Sequence, residues 1–128
     1  MNPKIEVSVP KEMIQMILES AKSLHPKETI FLLRGKTRKD AITVSELVIP
    51  PSATYGRGFA SLPLYMMPID FSIVGTAHSH PSGSLALSVE DLNRALGKIM
   101  LLVAYPYEGA ECVAVYNRGG EKLKLRVT

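Results

Sequence analysis

The alternation of apolar and polar residues predicts the first elements of the chain. Apolar residues occupy every second position from Ile5 to Val9, which is typical of a half-buried strand. Pro10 suits the first turn of a helix, and apolar side chains then recur with helical spacing over residues 11–23. His25 precedes a proline and therefore disfavours the helical conformation, which ends the helix. The chain thus begins with a predicted strand and one long helix.

Short apolar runs bounded by turn residues predict a series of strands in the middle of the chain. Residues 29–33, 42–49 and 71–80 carry such runs. A charged turn at 35–40 separates the first two runs, and a loop at 52–68, without a sustained period, separates the last two.

The last third of the chain predicts a second helix and a hairpin. Ser88 is typical of a helix start, and helical periodicity continues to about residue 98. Strands are predicted at 101–103, 111–116 and 122–127, with an Asn-Arg-Gly-Gly hairpin turn at 117–120. Together these patterns predict an α/β domain with five to seven strands and two main helices.

Composition narrows the class of protein. The 128 residues allow one compact domain over 1–128, and the hydrophobic fraction of 46% suffices for a core. No apolar run approaches the ~18–20 residues of a membrane span, and the N-terminus lacks the charged and apolar blocks of a signal peptide. The single cysteine, Cys112, cannot form an intramolecular disulfide, which fits a reducing compartment. We therefore expect a cytoplasmic protein without a membrane partner.

The charge distribution argues against nucleic-acid binding. The net charge is only +3, the aromatic fraction is 6%, and the chain has no tryptophan. A nucleic-acid surface needs a basic stripe with interleaved aromatic side chains. We therefore expect no nucleic-acid partner.

Two histidines and an aspartate are the candidate metal ligands. His78 and His80 end the strand predicted at 71–80, and residues i and i+2 of a strand point to the same face, with Cα atoms roughly 6.6 Å apart. Asp91 falls in the first turn of the helix that begins after Ser88, so the intervening loop could fold its carboxylate over the imidazoles. Two histidines and one carboxylate match a catalytic zinc site with an open fourth position for water.

Each of these residues also has a simpler interpretation. Ser88 and Asp91 together resemble an N-cap with an acidic first turn, which stabilises a helix without any metal. A histidine pair at a strand end is commonly a solvated turn. Glu28, beside Lys27, could be a surface carboxylate.

The spacing of these residues resembles a known family. His78-Ser79-His80-Pro81, with Ser88 and Asp91 downstream, reproduces H-S-H-P-x6-S-x2-D, the signature of the JAMM (MPN+) metalloproteases. The segment from Pro26 through Glu28 to Gly35 is similar to the family's P-x-E…L-L-x-G segment. The resemblance covers most of the chain. The short link from Ser61 to Gly75 is similar to that of the compact archaeal members, which resemble enzymes that remove small ubiquitin-like modifiers.

The resemblance implies a fold and a role for each residue. The fold would be an MPN-like (cytidine-deaminase-like) α/β domain with a mixed β-sheet flanked by two main helices. One Zn²⁺ per chain would be held by His78, His80 and Asp91 and would activate a water. Glu28 would take the proton of that water and pass it to the leaving amine. Ser88 would donate its hydroxyl to the oxyanion.

The resemblance also implies a substrate and leaves alternatives. The expected reaction is cleavage of the amide or isopeptide bond after the C-terminal Gly-Gly of ubiquitin-like modifier conjugates, which would be the partners. A second enzymatic reading is trimming of the C-terminus of a sulfur-carrier protein. A third reading, from another class, is a non-catalytic MPN scaffold that binds no zinc. The size of the chain is compatible with a homodimer.

Overall fold

The computed structural model describes residues 5–49, 54–56, 59–61, 72–93 and 96–128. Its helices are α1 (Lys11–Leu24) and α2 (Val89–Asn93), and a short 3-10 helix covers Ala110–Cys112. Its strands are β1 (Glu6–Val9), β2 (Ile30–Arg38), β3 (Ala41–Val48), β4 (Thr54–Gly56), β5 (Phe59–Ser61), β6 (Ile73–His80), β7 (Ile99–Ala104), β8 (Val113–Asn117) and β9 (Lys122–Val127).

Seven of these strands form one curved, mixed sheet in the order β1-β3-β2-β6-β7-β8-β9. The pairs β1–β3 and β6–β7 are parallel, and β1 also pairs in parallel with β9. The remaining neighbours are antiparallel. The predicted α/β class with a mixed sheet and two helices is confirmed.

The core lies between α1 and the sheet. Five apolar side chains of α1 recur at helical spacing and are buried, as the pattern predicts: Met13, Ile14, Ile17, Leu18 and Ala21. The strand β7 is buried along its whole length, because it has a strand on each side and carries only apolar residues. This buried strand pairs with β6, the strand that ends in the two histidines. None of the helices in the described part of the chain is long and apolar enough to cross a membrane.

The charged turn predicted at 35–40 is wrong for most of its length. The strand β2 continues to Arg38, and only Lys39 and Asp40 form the turn. Pairing with β3 overrides the composition, because the exposed edge leaves the charged side chains in water. Gly35 permits the close approach of the two strands there, since a Cβ atom at this position would lie 2.1 Å from the carbonyl oxygen of Thr43.

The second helix is shorter than the sequence predicts. Residues 96–98, which the periodicity assigns to the helix, are irregular, and β7 begins at Ile99. Gly97 has φ of 82°, and a Cβ atom there would lie 2.6 Å from the backbone of Val74. A residue in this left-handed conformation stops a helix. Residues 94 and 95 lie outside the described ones.

Two smaller predictions also differ from the structure. The strand predicted at 111–116 begins only at Val113, and Cys112 lies in the preceding 3-10 helix, buried in the core. The loop predicted at 52–68 contains the antiparallel hairpin of β4 and β5. The rest of that loop, and the first residue of the strand predicted at 71–80, lie outside the described residues. The hairpin turn at 117–120 joins β8 to β9, as predicted.

Candidate metal centre

The two histidines project from the end of β6 to the same side, as their i, i+2 spacing predicts. The centroids of the His78 and His80 rings lie 5.4 Å apart. Both Nε2 atoms point at the Asp91 carboxylate, with distances of 2.9 Å from His78 to Oδ1 and 3.1 Å from His80 to Oδ2. The three residues that the sequence singled out are therefore brought together.

Asp91 is held in place by the start of α2. The Ser88 hydroxyl accepts the N–H of Asp91 at 3.0 Å, and Asp91 Oδ2 accepts the N–H of Ser88 at 2.8 Å. This reciprocal pair is a capping box with an aspartate at the third helical position. The helix cap and the metal-ligand geometry thus use the same carboxylate, so the simpler interpretation of these residues holds together with the functional one.

The electrostatics of this cluster favour a charged aspartate. Burial alone raises the pKa of Asp91, but hydrogen bonds from His78, His80 and the N–H of Ser88 outweigh it and hold the pKa well below its usual range. Burial lowers the pKa of His80, and its hydrogen bond to Asp91 and another to the carbonyl of Ser84 reverse this effect and raise it. A permanently charged carboxylate between two imidazoles suits a divalent cation.

The orientation of His80 depends on a residue that the sequence did not reveal. Its Nδ1 lies 2.8 Å from the carbonyl oxygen of Ser84, so an Nδ1–H donates there and leaves the Nε2 lone pair for a metal. The loop that supplies this carbonyl is anchored from β8, where the Tyr116 hydroxyl donates to the carbonyl of Leu85. Because Ser84 acts through its backbone, no side-chain pattern could have identified it.

Glu28 reaches the same site from the other side. It lies between the end of α1 and the start of β2 and is half-buried. With His80, Ser88 and Asp91 it lines a cleft of ≈ 310 Å³. Its negative charge contributes to the raised pKa of His80. Four of the five predicted site residues therefore line one cleft, and the fifth, His78, contacts the Asp91 carboxylate of that cleft.

The three candidate ligands fit a zinc ion. Their ligand atoms all lie within 4.8 Å of one another. Tetrahedral zinc with bonds of ~2.1 Å places its ligand atoms about 3.4 Å apart, and the two histidine–carboxylate distances come within about half an ångström of that value. Two imidazole nitrogens and one carboxylate oxygen would hold such an ion. Imidazole and carboxylate donors without a thiolate are typical of a catalytic zinc site.

Comparison with known proteins identifies the family. The family described as prokaryotic homologs of the JAB domain matches residues 10–122. The chain belongs to this family.

The relatives of this JAB-domain protein have descriptions that agree with this family. A "probable metalloprotease" of Haloferax volcanii is 29% identical over 128 residues, which covers 94% of this chain and 79% of that protein. The crystal structure of a JAB1/MPN domain protein from Archaeoglobus fulgidus is 33% identical, with 98% of both chains covered and a TM-score of 0.66. A structure described as JAMM, a metalloprotease-like zinc site in the proteasome and signalosome, is 35% identical, with 97% of both chains covered and a TM-score of 0.66.

These similarities confirm the resemblance on which the sequence-based prediction rested. The JAB-domain membership and the fold follow from chains that match almost end to end. Together with the ligand cluster they support a metalloprotease with a zinc site. The individual roles of Glu28 and Ser88 stay predictions.

Proposed function

We propose that the chain is a zinc-dependent isopeptidase or peptidase that cleaves the amide bond after the C-terminal Gly-Gly of ubiquitin-like modifier conjugates. The observation that carries this proposal is the convergence of His78, His80 and Asp91 at a cleft that also contains a glutamate and a serine hydroxyl. A scaffold that only binds partners has no need of a complete ligand set with a built helix cap behind it.

The residues around the cleft divide the work of hydrolysis. The two histidines and Asp91 would hold a zinc ion, which would supply Lewis acidity for activating water and polarising the scissile carbonyl. Glu28 accepts the proton of the attacking water and then delivers it to the leaving amine. The Ser88 hydroxyl accepts a hydrogen bond from the N–H of Asp91, and its own proton is still available to donate to the oxyanion. Capping and catalysis are therefore compatible in this one side chain.

The burial of the candidate ligands supports a diglycine tail as the substrate segment. The cleft is small at ≈ 310 Å³, and its candidate ligands lie on a buried strand end and a capped helix instead of mobile surface chains. Residues without side chains let a substrate backbone approach such ligands closely. The lysine amine of an isopeptide or the α-amine of a peptide would then be the leaving group.

The substrate class can be tested with paired fusions. A ubiquitin-like protein ending in Gly-Gly, joined to a second protein through a peptide or a lysine isopeptide bond, is the probe, and Ala-Ala in place of Gly-Gly is its matched control. We expect about one zinc per chain in the purified protein and cleavage of the Gly-Gly fusion at least 10²-fold faster, which corresponds to about 2.7 kcal/mol of transition-state binding.

Other outcomes would identify the alternatives. Zinc without cleavage of either fusion would mean that the metal site is correct and the substrate class is wrong. Preferential removal of residues from the C-terminus of an unconjugated sulfur-carrier protein would favour the second enzymatic interpretation. A protein purified without chelators that holds no zinc and takes none up would favour the scaffold.

Ser88 gives a prediction that separates capping from catalysis. Both Ser88→Ala and Ser88→Gly lack the hydroxyl, so we expect both to lower kcat by about 10²–10³-fold. Alanine as an N-cap costs about 1 kcal/mol of stability, whereas glycine costs only a few tenths. Thermal melting beside steady-state kinetics checks this. If kcat instead fell only in proportion to the loss of stability, with Ser88→Gly close to the wild type, Ser88 would act only as a helix cap.

A further inference from the structure

Ser79 lies between the two histidine ligands and faces away from them. It is completely buried, and its side chain points to the interior side of β6. The Ser79 hydroxyl accepts the backbone N–H of Thr29 at 2.9 Å, and the N–H of Ser79 donates to the carbonyl oxygen of Thr29 at 3.1 Å. Two hydrogen bonds therefore clamp the residue beside Glu28 to the residue between the metal ligands.

The register of the sheet shows why this clamp matters for Glu28. The antiparallel pair of β2 and β6 places Ile30 opposite His78, so continuing it by two residues puts Thr29 opposite Ser79 and Glu28 opposite His80. Opposite residues share a face, which turns Glu28 toward the cleft with the histidines. The position of Glu28 relative to the ligands therefore depends on how the strand end is held one residue away.

The Ser79 hydroxyl takes the place of a backbone acceptor. In a regular antiparallel ladder, a hydrogen-bonded pair of residues exchanges two N–H···O=C bonds. Here one of the two bonds ends on a side-chain oxygen, at the residue just before β2 begins at Ile30. A side chain thus sets the separation between the segment of Glu28 and the strand of the ligands.

The surroundings of Ser79 make this bond hard to replace. Thr29 and Tyr107 are both 1% exposed, and their hydroxyls have no hydrogen-bond partner of standard geometry among the described residues. Burial raises the pKa of Tyr107, and the nearby Ser79 hydroxyl offsets part of that rise. A buried N–H without an acceptor is costly, so losing the Ser79 oxygen should drive the Thr29 backbone to move toward another acceptor.

We propose that Ser79 is a positioning residue: its hydroxyl, through the Thr29 N–H, holds Glu28 at working distance from His78, His80 and Asp91. This inference rests on the proposed function for the role of Glu28 as the base. Ser79 itself touches neither substrate nor metal.

Three variants of Ser79 distinguish the loss of the hydrogen-bond acceptor from a change in side-chain volume. Ser79→Ala removes the oxygen, Ser79→Cys keeps nearly the volume with a weak acceptor, and Ser79→Thr keeps the hydroxyl. We expect kcat to fall by about 10–10²-fold for alanine and cysteine, because a displacement of about 1 Å can cost that much. We expect KM and the zinc content to stay within twofold of the wild type, and threonine to restore most of kcat.

A double variant tests whether the effect passes through Glu28. In a Glu28→Gln background, Ser79→Ala should lower the residual rate no further, since the base that it positions is already absent. A merely structural serine would lower the rate by the same factor in both backgrounds. Loss of zinc together with kcat in all three Ser79 variants would likewise overturn the proposal.

Amide hydrogen exchange tests the clamp without substrate or metal. In the metal-free protein, we expect the Thr29 amide to exchange at least 10-fold faster in Ser79→Ala than in the wild type, and Ser79→Thr to restore protection. Unchanged protection would overturn the inference. Because this readout needs no cleavage, it still judges the clamp if Gly-Gly conjugates prove to be the wrong substrates.

Discussion

Glu28→Gln should abolish most of the cleavage and leave the metal site intact. Glutamine has nearly the same shape as glutamate but cannot accept a proton, and a positioned general base typically contributes about 10²–10⁴-fold to the rate. Glu28 lines the cleft beside His80 without belonging to the ligand cluster. We therefore expect kcat/KM on a Gly-Gly fusion to fall by about that factor, with one zinc per chain retained.

The matched control removes a carboxylate elsewhere. Glu108 is an exposed glutamate that pairs with Lys22 at 3.6 Å, so Glu108→Gln makes the same chemical change away from the cleft. Such surface pairs contribute little, and we expect kcat/KM within about twofold of the wild type. Zinc content by mass spectrometry and thermal melting accompany the kinetics. A Glu28→Gln protein that cleaves normally would refute the assignment of Glu28 as the base.

Two parts of the metal centre could be predicted because each is local in sequence, whereas their meeting across 13 residues was implied by the family resemblance. His78 and His80 share a face through the period of a strand, and Ser88 and Asp91 meet through the geometry of a helix start. The burial of α1 follows equally from a period of 3.6. In each case the relevant contact lies within a few residues, so a pattern in the chain contains it.

The contacts that the sequence could not supply join distant segments. Glu28 came from the family resemblance alone, because nothing near it in the chain indicates that β2 lies beside β6. The clamp of Thr29 on Ser79 spans 50 residues and involves a backbone N–H, which every residue except proline carries. The carbonyl of Ser84 lies only four residues from His80, but it is a backbone group and therefore leaves no side-chain pattern either.

The wrong element boundaries have a common physical cause. The charged residues Lys36 and Arg38 favour a turn by composition, yet pairing with β3 places them in a strand. The helical period continues past Gly97, yet close contact with the backbone of Val74 leaves no room for a helix there. Tertiary packing decided both positions against the local preference.

Asp91→Asn should cost the protein both its zinc and part of its stability. The carboxylate accepts hydrogen bonds from His78 and His80 and from the N–H of Ser88, and asparagine offers one oxygen where two are used. The side-chain amide of asparagine would also point its own N–H groups at a histidine N–H, which needs a hydrogen-bond acceptor. We expect zinc to fall below about a tenth of an equivalent per chain, since loss of a ligand removes a charge and a bond from the site.

The loss of stability should appear in the metal-free protein as well. A buried donor left without its acceptor costs about 1–3 kcal/mol, so chemical denaturation of metal-free wild type and Asp91→Asn should differ by about that amount. Glu90→Gln is the control, because it removes the same charge from the same turn of α2 outside the ligand cluster. We expect it to keep one zinc. An Asp91→Asn protein that holds a full equivalent of zinc would show that the ion binds elsewhere, whereas zinc loss without a change in metal-free stability would mean that the hydrogen bonds at Asp91 contribute nothing to the fold.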